Sequence, residues 1–203
     1  MAKSARGMLP GTGPRLTMRD PKRVAILISG RGSNMRALAE RSDCYEVALV
    51  ASNKPAAPGL EWARSRGLHT WALESKGLSK EEFDRQLSAA IEARDAGTIA
   101  LAGFMRILSP WFVSEWQGRI LNIHPSLLPK YRGLDTHARA IAAGDLVSGC
   151  SVHVVTEELD AGEVLGQAEV PIEADDTAAT LEQRVLAAEH ALYPKVLSEF
   201  VRR

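Results

Sequence analysis

Val24-Ala25-Ile26-Leu27-Ile28-Ser29-Gly30-Arg31-Gly32-Ser33-Asn34 decides the fold. An apolar run without polar alternation predicts a strand buried on both faces, as in a parallel sheet. The run stops at Ser29-Gly30, and residues 34–41 read as the helix that follows. Two readings of the intervening loop stand. Glycines let backbone amides approach a phosphate, the helix N-terminus favours its charge, and Ser33 and Asn34 add donors. A tight turn without a ligand has the same composition. The dinucleotide fingerprint would need glycine where Met35 stands and an acid where Ser52-Asn53 stand. NAD is therefore disfavoured, and a single phosphate monoester fits better.

The same alternation continues along the chain. Residues 46–51 read as a second strand, 60–66 as a second helix ended by Gly67, and 69–73 as a short third strand. Residues 79–93 read as a helix, with Ser79 as N-cap and Glu82 completing a capping box. Phe83, Leu87 and Ile91 recur there at i, i+4, i+8. Residues 98–102 and 119–123 read as strands four and five, and 110–116 and 135–143 as helices. Residues 150–155 and 164–170 alternate as strands around Asp160-Ala161-Gly162. Asp176 or Thr177 caps a last long helix with Leu181, Val185, Ala188, Leu192 and Val196 on one face. The expected fold is α/β: a Rossmann-like, mostly parallel sheet with helices on both faces and an antiparallel C-terminal element.

The chain has 203 residues, with 25 basic and 25 acidic side chains and no formal net charge. That length fits one domain, placed at 23–203. Lys130-Tyr131-Arg132 is the densest basic cluster within it, which disfavours a nucleic-acid partner but not a small anion. Cys44 and Cys150 lie far apart, lack CxxC spacing and read as buried reduced thiols. No apolar stretch is long enough to span a bilayer. Residues 1–22 are rich in Gly, Pro, Arg and Ser and lack the apolar core of a secretory signal. A disordered tail, or a true start at Met8 or Met18, is the expectation, with a transit peptide the weaker alternative. The location expected is cytoplasmic.

A second segment carries the chemistry: Asn122-Ile123-His124-Pro125-Ser126-Leu127-Leu128-Pro129, just past the fifth strand, followed downstream by Glu158-Leu159-Asp160-Ala161-Gly162. Asn122 offers a donor for an oxyanion, His124 a titratable acid/base, and Asp160 a group to set its charge. Together they suit chemistry at a carbonyl carbon. His124 lies beyond a strand's C-terminal end, where open α/β sheets place ligands. A rigid Pro-flanked connection is the alternative. Metal binding is another, but no HxH or HExxH spacing supports it. His69 and His153, on predicted strands, read as structural.

These segments, with Ala102-Gly103-Phe104-Met105-Arg106-Ile107-Leu108 and Ser151-Val152-His153-Val154-Val155-Thr156-Glu157-Glu158, stand in the order found in the folate-dependent formyltransferases. The chain resembles that superfamily from Arg23 onward. The phosphate loop and Thr136-His137 resemble its glycinamide ribonucleotide branch. The resemblance implies transfer of a formyl group from 10-formyltetrahydrofolate to the amine of 5-phosphoribosylglycinamide, in de novo purine biosynthesis, without a metal. It implies Asn122, His124 and Asp160 as the catalytic trio. It implies Gly32, Ser33 and Asn34 at the substrate phosphate and Glu189 at the ribose. Backbone at Met105, Arg106, Ile107 and Leu108 would line the pterin pocket, with Asn122 beside it. Thr156, Glu157, Glu158, Leu159 and Asp160 would close over the pterin. Lys80 aligns where some relatives carry a folate-contacting arginine, but lysine lacks the planar fork.

Methionyl-tRNA formyltransferases share the trio but resemble longer chains with a tRNA-binding domain. Formyltetrahydrofolate deformylases carry a regulatory domain before the catalytic one. A non-catalytic nucleotide-binding module is the third alternative, disfavoured by the intact trio. A monomer or a homodimer is expected.

Overall fold

The computed structural model describes residues 19–203. In chain order the elements are β1 (Asp20–Ile28), α1 (Ser33–Glu40), β2 (Glu46–Ser52), α2 (Pro58–Ser65) and β3 (Thr70–Ala72). There follow α3 (Lys80–Glu92), β4 (Ala96–Leu101), α4 (Pro110–Glu115), β5 (Ile120–His124) and α5 (Thr136–Ala142). The chain ends with β6 (Val147–Val154), β7 (Val164–Pro171) and α6 (Ala178–Phe200). One seven-stranded sheet has the order β3-β2-β1-β4-β5-β6-β7. Pairing is parallel as far as β5, and β6 and β7 are antiparallel. The expected α/β architecture is the one observed.

The unbroken apolar run of β1 is buried on both faces because alternate residues serve different layers. Val24, Ile26 and Ile28 pack with Met35 and Leu38 of α1, Leu60 of α2 and Leu181, Val185 and Tyr193 of α6. Ala25 and Leu27 pack with Phe83, Leu87 and Ile91 of α3 and Phe112 and Trp116 near α4. Burying each such side chain stabilises the fold by about 1.5–3 kcal/mol. Of the two cap candidates for α6, Thr177 is the one: its hydroxyl accepts from Thr180 N–H at 3.2 Å. Asp176 instead pairs with Arg184.

The first strand begins earlier than its apolar pattern. Residues 20–22, assigned to the tail from composition, belong to the sheet. Asp20 is paired with Ala96, and Thr98 Oγ1 donates to Pro21 O at 2.7 Å. A Cβ on Gly97 would lie 2.4 Å from Asp20 O, so a glycine there admits the neighbouring strand. Main-chain pairing supports this stretch, and no hydrophobic periodicity announces it. The remainder of the expected tail, residues 1–18, lies outside the described residues.

The capping box is formed as expected: Glu82 N–H donates to Ser79 Oγ at 3.1 Å and Ser79 N–H to Glu82 Oε2 at 2.9 Å. Ser79→Ala should destabilise the protein by about 1 kcal/mol. Urea unfolding checks this, and an unchanged midpoint would show that packing alone holds the start of α3.

Candidate active site

The order of the sheet reverses between β1 and β4. From β1 the chain moves outward to β2 and β3, then crosses back to β4 and β5. The carboxyl ends of these central strands therefore face a crevice that no connection covers, where such sheets bind ligands.

The glycine-rich loop lies on one side of it. Gly32, at φ 72°, is the N-cap of α1 and supplies no side-chain cap, so first-turn amides stay available to an anion. A Cβ on Gly32 would lie 2.8 Å from Met35 Cε, so conformation and space both ask for glycine. Ser33 begins the helix and is half-buried. Asn34 departs from expectation. Its side chain is buried, and Nδ2 donates to Glu189 Oε2 at 2.6 Å. Glu189 falls on the buried stripe Leu181, Val185, Glu189, Tyr193, Leu197 of α6, so its carboxylate needs a donor there. The Asn34 amide thus orients Glu189, and only its backbone is left to face the loop. Burial raises the Glu189 carboxyl above the usual range, opposed by the Asn34 bond and reinforced by Glu182.

The trio converges on the other side. His124 ends β5, Asn122 precedes it by two residues, and Asp160 sits in the turn between β6 and β7. His124 and Asp160 are buried, with Nδ1 3.5 Å from Asp160 Oδ2, an ion-pair distance. His124 Nε2 lies 2.9 Å from Tyr131 O. Both ring nitrogens thus face acceptors. Asp160 has left-handed backbone, φ 49°, and Oδ2 accepts from Gly133 N–H at 2.9 Å. Burial pushes its carboxyl up, but bonds from His153 and Gly133 and the two imidazoles outweigh that and hold it below the usual range.

His153, read from the sequence as structural, belongs to the site. It lies directly across from Asn122 in the β5–β6 register. Its Nε2 is 3.1 Å from Asn122 Nδ2 and 3.5 Å from Asp160 Oδ1, and its Nδ1 is 3.0 Å from Val154 O. Nε2 therefore sits between the Asn122 amide and the Asp160 carboxylate, and the ring ties the two together. Ser151, two residues earlier, faces the same way. Its hydroxyl donates to Ser126 O at 2.7 Å and accepts from Leu128 N–H at 3.0 Å, holding the loop after His124. Two polar residues at i, i+2, on the same face of a mostly apolar strand, were the sequence signal for both.

Residues 105–108 line the crevice beyond β4. Met105 and Ile107 are 68% and 64% exposed. Met105 N–H donates to Ser29 Oγ at 2.8 Å. Among the described residues no group bonds the main-chain N–H or C=O of Arg106, Ile107 or Leu108, so a strip of backbone stays open. The Arg106 guanidinium turns away, donating to Ser79 O at 3.0 Å and lying 4.8 Å from the Phe83 ring centroid. Lys80 is exposed on the first turn of α3, next to Ser79. Thr156, Glu157, Glu158 and Leu159 form an exposed loop, tied to the neighbouring loop by Arg132 and Glu158 at 2.6 Å. Of the cysteines, Cys150 is buried, its thiol pushed up to about 12 by burial and Glu189, while Cys44 is half-buried. Among the described residues no cluster of three or more His, Cys, Asp or Glu side chains is set to hold a metal.

A Rossmann-like sheet with an Asn-x-His strand end and an aspartate turn defines a class, and comparison agrees. The family model described as formyl transferase matches residues 22–197, and the chain belongs to that family. It is 48% identical over 182 residues to phosphoribosylglycinamide formyltransferase of Escherichia coli (strain K12), covering 87% of this chain and 86% of that one. It is 44% identical over 180 residues to the human trifunctional purine biosynthetic protein adenosine-3, spanning 86% of this chain but 18% of that protein. The crystal structure of phosphoribosylglycinamide formyltransferase from Brucella melitensis superposes with TM-score 0.85 at 46% identity, covering 90% of this chain and 96% of that one.

Glu189 gives a test of the buried pair. Its raised pKa means that the folded protein keeps a proton which the unfolded chain releases above about pH 4.3. Stability therefore falls as pH rises from there through the folded value, and the penalty is complete beyond it. Glu189→Gln removes the penalty while keeping an acceptor for Asn34. The variant should match or exceed the parent in Tm at pH 7.5, with the advantage gone near pH 4. Thermal unfolding at both pH values checks this, and a variant less stable only at pH 7.5 contradicts it.

Proposed function

We propose that the crevice transfers the formyl group of 10-formyltetrahydrofolate to the primary amine of 5-phosphoribosylglycinamide, giving formylglycinamide ribonucleotide and tetrahydrofolate in de novo purine biosynthesis. The observation that carries this is the position of the Asn122–His124–Asp160 cluster. It stands between an anion-ready helix start and an open backbone strip. Each feature has a partner in the reaction. The α1 amides and Gly32 and Ser33 take the phosphate, and Glu189, oriented by Asn34, takes the ribose. The strip at 106–108 takes the planar donor/acceptor edge of the pterin, flanked by Met105 and Ile107. The 156–160 loop closes over it. Lys80 lies on that side and offers a point charge to the acidic end of the folate.

The folate supplies an activated formyl carbon, and the chain supplies charge and position. Attack by the amine nitrogen makes the new C–N bond and drives the carbonyl electrons onto oxygen. The free N–H of Asn122 meets that oxyanion. His124, faced by the Asp160 carboxylate, donates to it and passes a proton to the departing folate nitrogen as the old C–N bond breaks. The carbonyl re-forms as that bond breaks, and the proton released by the attacking amine goes back to His124. His124 Nε2 is engaged by Tyr131 O, so substrate entry displaces that carbonyl from the ring. Each oxyanion donor of this kind contributes about 3–4 kcal/mol.

The assembly we propose is a monomer or a homodimer. No described helix is long and apolar enough to cross a membrane, and we assign the protein to the cytoplasm.

Asp160→Asn keeps shape and hydrogen bonding but removes charge. The variant should lose on the order of 10²-fold or more in kcat, with ribonucleotide KM little changed. The assay follows tetrahydrofolate from 10-formyltetrahydrofolate with 5-phosphoribosylglycinamide, and with water alone as control. Product formed equally fast without the ribonucleotide would assign hydrolysis instead. A kcat preserved in Asp160→Asn would remove the charge from the mechanism.

A further inference from the structure

Two buried side chains that take no part in the chemistry grip the open strip at its ends. On the near side, Ser29 is 6% exposed. Its hydroxyl donates to Asn53 Oδ1 at 2.6 Å and accepts from Met105 N–H at 2.8 Å, while its own N–H donates to Gly103 O at 3.1 Å. On the far side, Asp84 is fully buried on the mostly apolar face of α3, with Phe83, Leu87, Ser88 and Ile91. Its Oδ2 accepts from Ser109 N–H at 2.6 Å. Ser109 in turn caps α4, its Oγ accepting from Phe112 N–H at 3.2 Å. The other carboxylate oxygen, Oδ1, and Arg106 Nε are both buried without a partner.

A carboxylate on a buried helix face is costly unless something specific requires it. Here that requirement lies at residue 109. The strip 106–108 makes no main-chain bonds of its own, so its course is set by what fixes residues 105 and 109. We propose that Ser29 and Asp84 are positioning residues that hold this backbone in place and unbonded, and so determine affinity for the folate. The proposal rests on the assignment of 106–108 to the pterin. Ser29 also leads directly into Gly30 of the phosphate loop, and its hydroxyl fixes the spacing between the two sides of the crevice. Asn53, standing where dinucleotide folds want an acid, has this supporting role instead.

Steady-state kinetics of the full chain test this, with each substrate varied in turn. Asp84→Ala and Ser29→Ala should each raise KM for 10-formyltetrahydrofolate about tenfold or more, the cost of freeing a main-chain amide from its charged or buried acceptor. KM for the ribonucleotide and kcat should stay within about twofold for Asp84→Ala. Asp84→Asn keeps an acceptor for Ser109 N–H and should recover most of the folate affinity. A merely structural role would lower Tm without separating the two KM values. Equal rises in both, or an unchanged folate KM in protein folded by circular dichroism, overturn the proposal. Should Asp84→Ala fail to fold, Ser29→Ala must still raise folate KM more than ribonucleotide KM, and its failure to do so overturns it. If the parent transfers no formyl group, the proposed function fails separately. Tetrahydrofolate binding, followed by tryptophan fluorescence, then decides the anchors: weaker binding in the alanine variants supports them and equal binding overturns them.

Discussion

The crevice exists because the chain leaves β1 in one direction and returns to β4 in the other. Strands β1 and β4 are neighbours in the sheet, yet two strands and three helices separate them in sequence. Their carboxyl ends open onto a gap with no loop between them. Everything chemical is then a matter of which residues the sheet places around that gap. The β1 loop brings amides to it, the β4 loop brings a bare strip of backbone, and β5 brings an amide and an imidazole. The β6–β7 turn, folded back antiparallel beside β5, brings the carboxylate. Without the antiparallel return, Asp160 and His153 would have no route to the end of β5.

Around this gap the structure buries several polar groups that an ordinary core would exclude. Each bonds a group from a distant part of the chain. Asn34 is compensated by Glu189, Asp84 by the amide of Ser109, and Ser29 by Asn53 and Met105. Low local dielectric makes such bonds strong when made and costly when missing. They therefore fix loop positions more sharply than apolar contacts of similar area. The same device recurs in Tyr193, whose buried hydroxyl lies within 3.2 Å of Leu101 O and 3.1 Å of Leu121 O and ties α6 to β4 and β5.

Local signals in the sequence were legible. The apolar run of β1, the Ser79–Glu82 box and the strand–helix rhythm each depend on residues a few positions apart. What escaped depended on register. His153 looks like any strand histidine until β6 is set antiparallel to β5, which puts it opposite Asn122. Glu189 sits on an apolar helix stripe with nothing nearby in sequence to explain it, since its partner is Asn34. Asp20 to Lys22 look like tail because the start of a strand held by main-chain pairing has no hydrophobic pattern. Asp84 hides among helix acids that are exposed. A single sequence states which groups are polar, and only the packing states which of them are enclosed.

Asp160 combines these constraints in one residue. Its left-handed backbone costs roughly 1–2 kcal/mol for a residue with a Cβ, and a Cβ on Gly162 two residues on would strike Val154 O at 1.8 Å. The turn is therefore tight, and it aims the carboxylate inward against two imidazoles and the Gly133 amide. Because these neighbours hold its pKa below the ordinary value of about 3.9, the charged form is the one the fold prefers. Its contribution to stability is complete above that value and is lost as pH falls through the folded pKa. The turn and the left-handed backbone thus enclose a carboxylate whose charged form the surrounding groups favour. A neutral side chain of the same shape would inherit the strain and the burial without that favourable charge.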